Sequence, residues 1–344
     1  MPKSRGQATM SRTRGPSMAE VAELAGVSIS TVSKVANGGS DVGEATRARV
    51  AEILQSSQYV PRRKRKTPPT VTILVRAIPM STNVEFLAGA LAEAQKQGIQ
   101  ISLVQHGDND PEDDWLEQFT PRVTRAVIAL SSALSIDQQK QLEAQGVPLV
   151  VVYPRDTANL GAPSVGAADW AGGVNAAKHL IELGHRRIAM LAGPEDTLVA
   201  RARLSGFRDA LDEAKIPVDP ALVVPGTFDY DAGVSQARNV LTLDDRPTAI
   251  FAASDRQAMG AIEAARQLGL RVPEDVSVIG FDNLAAASMT SPPLTTIAQP
   301  LAEMGAVAVT MALALIENRP LVSRDAVLAT SIVVRGSTAA PPRP

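Results

Sequence analysis

The stretch Ser17–Asn37, SMAEVAELAGVSISTVSKVAN, decides how the first part of this chain folds. Ser17 followed three residues later by Glu20 is a capping-box pattern, which is typical of a helix start. Apolar residues then recur at spacings of three and four, on one helical face, namely Met18, Val21, Ala22 and Ala25. Gly26 is suited to end this helix and Ser28 to begin another. The stretch therefore predicts two short helices joined by a tight turn.

The second predicted helix turns Val32 and Val35 towards the first and leaves its opposite face outward. The outward residues are Ile29, Ser30, Ser33 and Lys34. They lie near the N-terminal end of the helix, which is the end that a recognition helix inserts into the major groove of DNA. The spacing alone is equally compatible with a small helical hairpin that binds no DNA.

The identities of these residues favour the DNA-binding interpretation. The run V-A-x-x-A-G-V-S-x-x-T-V-S-x-V-x-N, from Val21 to Asn37, resembles the headpiece of the LacI/GalR family of bacterial transcription regulators. The continuation from Val42 to Pro61 resembles that family's third helix and its exit into the hinge. The resemblance implies an all-α helix-turn-helix domain at residues 17–60.

The same resemblance assigns DNA contacts to individual residues. Ile29, Ser30 and Lys34 match the family's base-reading positions, where Ile29 offers a methyl contact to thymine and Lys34 a donor to guanine or phosphate. Phosphate contacts are expected from a second group, whose serines also fit simple helix caps: Ser17, Ser28, Thr31, Ser33 and Asn37. The alternative for Ile29 is packing within the helix-turn-helix core.

The hinge departs from the family pattern. Where family hinges carry Asn, then Ala, then a Leu that wedges into the minor groove, this chain has Arg62, Arg65 and Pro68. Residues 61–70 form a basic and then proline-rich linker, and proline shortens any helix there. We therefore expect Arg62 and Arg65 to follow the DNA electrostatically, with less kinking by an apolar wedge.

The composition is that of a globular protein that lacks cysteine. The chain has 344 residues, of which 45% are hydrophobic and 20% charged, enough for a small module and one or two domains with their own cores. With no cysteine and three scattered histidines, disulfides and thiolate zinc sites are excluded and neither a metal nor a cofactor is predicted. We find no signal-peptide pattern and no membrane-spanning apolar run, so a cytoplasmic location is expected.

The charge is divided between the two ends of the chain. Residues 1–66 hold 12 Lys and Arg against 5 Asp and Glu, whereas the remainder holds 22 against 31. A basic head on an acidic body is expected when only the head meets a polyanion. Residues 1–16 lack periodicity and are predicted to be a disordered basic arm.

From residue 71 onward, apolar strands alternate with helical patterns. This order is typical of a doubly wound parallel sheet, whose ligands bind at the carboxyl ends of the strands. The strands are predicted at 71–75, 99–105, 126–130, 149–153, 187–192, 222–224, 249–252 and 276–281, and a helix is predicted at 112–119.

Several segments of this region resemble the effector-binding core of the same family: LGHRRIA at 183–189, RARLSGF at 201–207, DVSVIGFD at 275–282 and PLTTI at 293–297. That core is similar to periplasmic sugar-binding proteins, which implies two doubly wound parallel-sheet lobes at residues 71–337. We expect lobe 1 at about 71–166 and 298–324, and lobe 2 at about 167–297 and 325–337. The stretch 336–344, of which residues 338–344 form the tail, carries no leucine heptad, so a homodimer is expected.

The resemblance also implies an effector site between the lobes. Arg203 and Asp282 match positions that contact effector, and a guanidinium with a carboxylate suits the hydroxyls of a sugar or the ring atoms of a purine. Their alternative is a structural salt bridge. Further contacts are expected from Phe228, Ser254, Thr82 and Asn83, and weaker candidates are Met80, Tyr153, Arg155, Trp170 and Gln299. Phe228 fits core packing equally well, and Ser254 stands where many members have Asn.

The sequence therefore predicts a sequence-specific DNA-binding transcriptional regulator that is controlled by a small molecule. A repressor is the favoured type. A sugar or glycoside is the favoured effector and a purine or nucleoside the alternative. A ligand-processing enzyme is less favoured, because the chain lacks a nucleophile elbow, a phosphate-binding loop, a dinucleotide fingerprint and metal-ligand spacing. A transport binding protein is also less favoured, because it would require export and no signal-peptide pattern is found.

Overall fold

The computed structural model describes residues 17–36, 39, 41–56, 69–75, 81–105, 119, 123–130, 134–154 and 161–342. The chain divides after Thr67 into two compact units. Within the described residues the helices are α1 Met18–Ala25, α2 Ile29–Ala36, α3 Glu44–Ser56, α4 Ser81–Gln97, α5 Ile136–Ala144, α6 Asp169–Glu182, α7 Leu198–Glu213, α8 Tyr230–Leu241, α9 Asp255–Gln267 and α10 Leu301–Ile316. No helix in these ranges is long and apolar enough to span a membrane.

The strands of the described residues all belong to the second unit. They are β1 Thr70–Val75, β2 Gln100–Gln105, β3 Ala126–Leu130, β4 Leu149–Val152, β5 Ser164–Ala167, β6 Ile188–Leu191, β7 Val223–Val224, β8 Ala249–Ala252, β9 Ser277–Asp282, β10 Thr295–Ala298, β11 Asp325–Leu328 and β12 Ser331–Val333. The eight strands predicted from the sequence agree with these bounds to within one residue at each end. The predicted helix at 112–119 lies outside the described residues apart from Phe119.

The first unit is a three-helix module with a small core. Gly26 ends α1 in the left-handed conformation, at φ 64°, which a residue without a Cβ adopts at no steric cost. The turn brings α2 back onto α1, and α3 closes the module. Its buried side chains come from all three helices: Val21, Ala22, Ala25, Val32 and Val50.

The second unit contains two six-stranded sheets, each covered by helices on both faces. The first sheet has the order β11-β5-β4-β3-β1-β2 and is parallel throughout. The second has the order β12-β10-β9-β8-β6-β7 and is parallel except for β12, which pairs antiparallel with β10. Each sheet separates two apolar clusters. The predicted fold class, a helical headpiece followed by two doubly wound lobes, is confirmed.

The chain crosses between the two sheets three times, after β5, after β10 and after β11. The predicted return to lobe 2 at about residue 325 is wrong by four residues, because β11 pairs with β5 in the first sheet. Asp325 lies opposite Ser164, and their side chains form a hydrogen bond of 2.7 Å. The last crossing therefore consists of residues 329–330, between two edge strands.

Glycines allow helices α6 and α7 of the second lobe to approach each other closely. A Cβ placed on Gly173 of α6 would lie 2.3 Å from the carbonyl oxygen of Arg203 in α7, and one on Gly206 would lie 2.1 Å from the carbonyl oxygen of Trp170. Only glycine leaves room for these backbones to touch. This seam brings the N-terminal turn of α6 beside the middle of α7.

Candidate nucleic-acid interface and ligand cleft

Three of the four residues predicted to face outward on the recognition helix are exposed in the structure. Val32 is fully buried against α1, whereas Ile29 is 53% exposed and Ser30 and Lys34 are exposed. Thr31 and Ser33 are half-buried. Ile29 therefore does not pack in the helix-turn-helix core, and its methyl groups are available to a ligand of this face.

Ser17 and Ser28 both act as helix caps. The Ser17 hydroxyl accepts from the Glu20 amide at 3.3 Å while Glu20 accepts from the Ser17 amide at 2.5 Å. The Ser28 hydroxyl accepts from the Thr31 amide at 3.2 Å and lies 2.7 Å from the Ser30 hydroxyl. Each exposed hydroxyl still has capacity for a phosphate oxygen, because a hydroxyl can donate while it accepts.

Lys34 is held by an acidic neighbour on the same surface. Its Nζ lies 2.5 Å from Asp41 Oδ2, and both side chains are more than half exposed. The hydrogen bond from Lys34 lowers the pKa of the Asp41 carboxyl. The other predicted DNA contacts, Asn37, Arg62 and Arg65, lie outside the described residues.

The candidate ligand cleft of the second unit is centred on Arg203, which is only 4% exposed. Its Nε and Nη2 both lie 2.8 Å from Asp169 Oδ1, and its Nη1 donates to the Ala253 carbonyl at 2.6 Å. Nη1 also lies 3.5 Å from Asp282 Oδ1. The guanidinium carbon is 3.7 Å from the centre of the Phe281 ring, so the cation also rests on an aromatic face.

The polar network continues from Asp282 into the first lobe. Gln299, at the second crossing, donates from Nε2 to Asp282 Oδ1 at 2.6 Å. The hydroxyl of Tyr153, which follows β4 of the first sheet, lies 2.6 Å from Gln299 Oε1 and 3.3 Å from Met304 Sδ. Hydrogen bonds thus connect the carboxyl ends of strands in both sheets, which is where such sheets bind ligands.

Two buried carboxyl groups, Asp169 and Asp282, contact the cation, and the third, Asp255, interacts with Asp282; burial raises the pKa of all three. Burial raises the pKa of Asp282 to about 6, against the lowering effect of Arg203. Burial and then the charge of Asp282 raise the pKa of Asp255 to about 8. Burial also raises the pKa of Asp169, although the Arg203 charge opposes it. The ion pairs with Asp169 and Asp282 offset the positive charge of Arg203 within the protein.

The remaining predicted effector contacts are placed less directly. The half-buried Phe228 ring centre lies 5.5 Å from the guanidinium carbon of Arg203. Ser254 is 3% exposed, and its hydroxyl caps α9 by accepting from the Gln257 amide at 3.1 Å and donating to the Phe228 carbonyl at 2.9 Å. Thr82 and Asn83 lie in the first turn of α4, after β1.

Of the weaker candidates, Tyr153 and Gln299 join the network, whereas Trp170 is half-exposed and donates from Nε1 to Asp209 at 2.7 Å. Met80 and Arg155 lie outside the described residues. Within the described ranges, no three His, Asp or Glu side chains are grouped to hold a metal ion.

Sequence reasoning missed two members of the network. Asp169 looks like an ordinary acidic residue at a helix start, and Phe281 like an ordinary strand residue. The available signal for Asp169 is that its helix also carries Gly172 and Gly173, which is unusual away from a close contact. Spacing along the chain does not reveal that this helix start meets Arg203.

Comparison with known proteins agrees with both parts of this description. Residues 17–62 match the model of bacterial regulatory proteins of the lacI family, and residues 177–338 match that of a periplasmic binding protein-like domain. The ribose operon repressor of Haemophilus influenzae is 35% identical over 93% of this chain and 98% of its own length.

Solved structures show the same likeness. A complex of the transcriptional regulator CelR with cellobiose has a TM-score of 0.71 and 33% identity, over 94% of this chain and 99% of that one. A lac repressor dimer bound to operator and the anti-inducer ONPF has a TM-score of 0.76 and 28% identity, over 95% and 100% of the two chains. This chain therefore belongs to the lacI family of bacterial regulatory proteins and is a DNA-binding transcriptional regulator.

Proposed function

We propose that this regulator is a homodimeric repressor whose affinity for operator DNA is set by an uncharged, polyhydroxylated ligand bound between its two lobes. The supporting observation is the series of hydrogen bonds and ion pairs from Asp169 through Arg203, Asp282 and Gln299 to Tyr153, which joins both lobes at the carboxyl ends of their strands. A DNA-binding regulator of this kind acts in the cytoplasm.

The charges in the cleft favour an uncharged ligand. Asp169 and Asp282 lie on two sides of Arg203, and all three side chains are at least nine-tenths buried. A phosphate would have to displace one of these carboxylates and would then lie beside it, at a cost in repulsion and desolvation. Sugar hydroxyls, in contrast, can donate to carboxylate oxygens and accept from the guanidinium without adding charge. A sugar is the first choice and a nucleoside the second.

Ligand binding between the lobes affects DNA binding by the headpiece through the angle between the lobes. A ligand that bridges Asp282 and the first-lobe residue Tyr153 favours one angle between the lobes. The ligand can change the affinity for DNA only by the ratio of its own affinities for the two lobe arrangements, the one that binds DNA well and the one that binds it poorly. In a dimer this ratio acts on two headpieces at once, and paired headpieces bind half-sites about one helical turn of DNA apart.

Thermal-shift measurements test the ligand class. We expect D-ribose, cellobiose or adenosine to raise the melting temperature, since a ligand at 100 times its Kd stabilises by about 2.7 kcal/mol. Ribose 5-phosphate and adenosine monophosphate are the matched phosphorylated probes, and neither should stabilise more than its parent. The shift should vanish in Arg203→Ala and persist in Arg201→Ala, which alters an exposed arginine of the same helix. A shift that survives Arg203→Ala would contradict the site, and stronger stabilisation by the phosphorylated probes would contradict the ligand class.

DNA binding is tested by fluorescence anisotropy with duplex DNA from the region upstream of the chain's own gene. We expect affinity to fall with salt, with a slope set by the number of phosphates contacted. Addition of a stabilising probe should then change the operator affinity. Absence of salt-dependent binding would overturn the proposal, and recovery of chemically altered probe after incubation would indicate an enzyme.

A further inference from the structure

The turn that presents Asp282 to the cleft has an unfavourable backbone conformation. Asp282 has φ 116° and the next residue, Asn283, has φ 60°, so two consecutive residues with side chains occupy the left-handed half of conformational space. Such residues persist where surrounding contacts hold them, and they concentrate at ligand sites. The position of the Asp282 carboxylate therefore depends on whatever holds this turn.

The side chain of Arg335 is hydrogen-bonded to this turn. Its Nη2 donates to Asn283 Oδ1 at 2.6 Å and its Nη1 donates to the Leu294 carbonyl at 2.6 Å. Its backbone amide also donates to the Thr295 hydroxyl at 2.9 Å. One guanidinium thus fastens the turn after β9 to the start of the neighbouring strand β10.

The other contacts of the turn come from the cleft itself. Asp282 accepts from Gln299 at 2.6 Å and lies near Arg203, while the Leu284 amide donates to Asp255 at 2.7 Å. Arg335 holds the same turn at the adjacent residue, through its hydrogen bond to Asn283. The turn is held by these two sets of contacts.

Arg335 also lies close to a crossing between the lobes. It follows β12 by two residues, and β12 begins directly after the crossing at 329–330. Gly336 and Ser337 then bind the backbone beside β9 and β10, which fixes the segment on the second lobe. Arg335 therefore lies in a segment that is fixed on the second lobe directly after the third crossing.

We propose that Arg335 is a positioning residue for the effector site: by holding Asn283 it fixes the left-handed turn that aims the Asp282 carboxylate at the ligand. The inference rests on the proposed role of Asp282 as a ligand contact. Arg335 acts through this turn, because its guanidinium donates to Asn283 and to the Leu294 carbonyl. A planar fork with two donors is required, since it must reach two acceptors at once.

Two variants that preserve charge test the inference. Arg335→Lys keeps the cation but has one nitrogen in place of the fork, and Asn283→Gly removes the acceptor while tolerating φ 60°. Arg319→Lys is the matched control, because Arg319 is an exposed arginine paired with Glu317. The double variant Arg335→Lys/Asn283→Gly shows whether the two residues act as one unit.

The first measurement needs no ligand. With ¹³C-labelled aspartate, the carboxyl resonance of Asp282 is titrated in each variant. We expect Arg335→Lys and Asn283→Gly to move the titration midpoint of Asp282 by at least half a pH unit in the same direction, the double variant to match the singles, and the control to leave it unchanged. A midpoint that stays at the wild-type value in both single variants overturns the inference.

The second measurement uses cellobiose, D-ribose and adenosine as probes in the same proteins. For any probe that stabilises the wild type, we expect the Kd to rise at least tenfold in both single variants and to stay within twofold in the control. If no probe binds the wild type, the proposed ligand class fails while the titration still decides the role of Arg335. Unchanged Kd values in both variants would overturn the positioning role.

Discussion

Replacing Gly173 with alanine should separate helices α6 and α7 and weaken the ligand cleft. The new Cβ would lie 2.3 Å from the Arg203 carbonyl oxygen, whereas ordinary contact begins at 3.4 Å, so the helices must move apart by about 1 Å. The residue one turn before Gly173 is Asp169, whose Oδ1 accepts two hydrogen bonds of 2.8 Å from Arg203. A displacement of that size takes both bonds beyond hydrogen-bonding range.

Opposing effects set the magnitude. Alanine in place of glycine within a helix favours the folded state by about 1 kcal/mol. Overpacking lowers the free energy of unfolding by about 1–3 kcal/mol. Loss of one partner of a buried ion pair lowers it by about 3–5 kcal/mol, and weakening the Asp169–Arg203 pair should cost only part of that. We expect the destabilising effects to prevail, with a net loss of about 2 kcal/mol. For a core of this size that loss lowers the melting temperature by roughly 4–8 °C.

The assay is thermal unfolding followed by circular dichroism, with Gly166→Ala as the matched control. An added Cβ at Gly166 in strand β5 meets no atom within 4 Å, so this variant should melt at the wild-type temperature or slightly above it. Gly173→Ala should also reduce the shift produced by a stabilising sugar. If Gly173→Ala were instead more stable than wild type by about 1 kcal/mol, helix propensity would dominate and the close seam would not support the cleft.

Three further substitutions have defined outcomes. The pKa of Asp255 is raised to about 8, so its carboxyl group is neutral in the folded protein below that pH. The free energy of unfolding of the wild type should therefore fall by up to about 1.4 kcal/mol per pH unit as the pH rises from about 4 to about 8. Asp255→Asn should flatten this dependence in urea unfolding, and an unchanged slope would contradict this prediction. Ser17→Ala should cost the headpiece about 1 kcal/mol, visible as faster amide exchange in α1; unchanged exchange would mean that the cap contributes nothing. Ser337→Ala should cost about 1–3 kcal/mol, because the buried Ser337 hydroxyl accepts from the Thr295 amide and donates to the Val278 carbonyl; urea unfolding measures it, and a loss below 0.5 kcal/mol would indicate replacement by water.

The headpiece illustrates what short-range patterns can predict. The capping box at Ser17, the left-handed Gly26 and the burial of Val32 all follow from contacts within a few residues along the chain. The same holds for the eight predicted strands. The exposure of Ile29 and the pairing of Lys34 with Asp41, in contrast, depend on how α2 and the segment before α3 come together, and the spacing left these questions open.

In the cleft, the resemblance identified Arg203 and Asp282 as residues of one site, and the structure places them 3.5 Å apart. It did not reveal that Asp169 holds the guanidinium, or that Ser254 serves as the cap of α9. A polar residue at a helix start has the same local appearance whether its side chain caps the helix or reaches a neighbour. Which of these happens is decided by the elements packed beside it.

The sequence by itself determined the helix-turn-helix, the alternation of strands and helices, and the division of charge between a basic N-terminal part and an acidic remainder. These properties follow from hydrophobic periodicity, capping and charge, which act between residues close in the chain. Only the tertiary structure decided that β11 belongs to the first sheet, that Gln299 connects Tyr153 to Asp282, and that Arg335 binds Asn283 in the turn after β9. These are contacts between residues far apart in sequence, and they form because two sheets and three crossings bring strand ends together. Local sequence patterns do not predict such contacts.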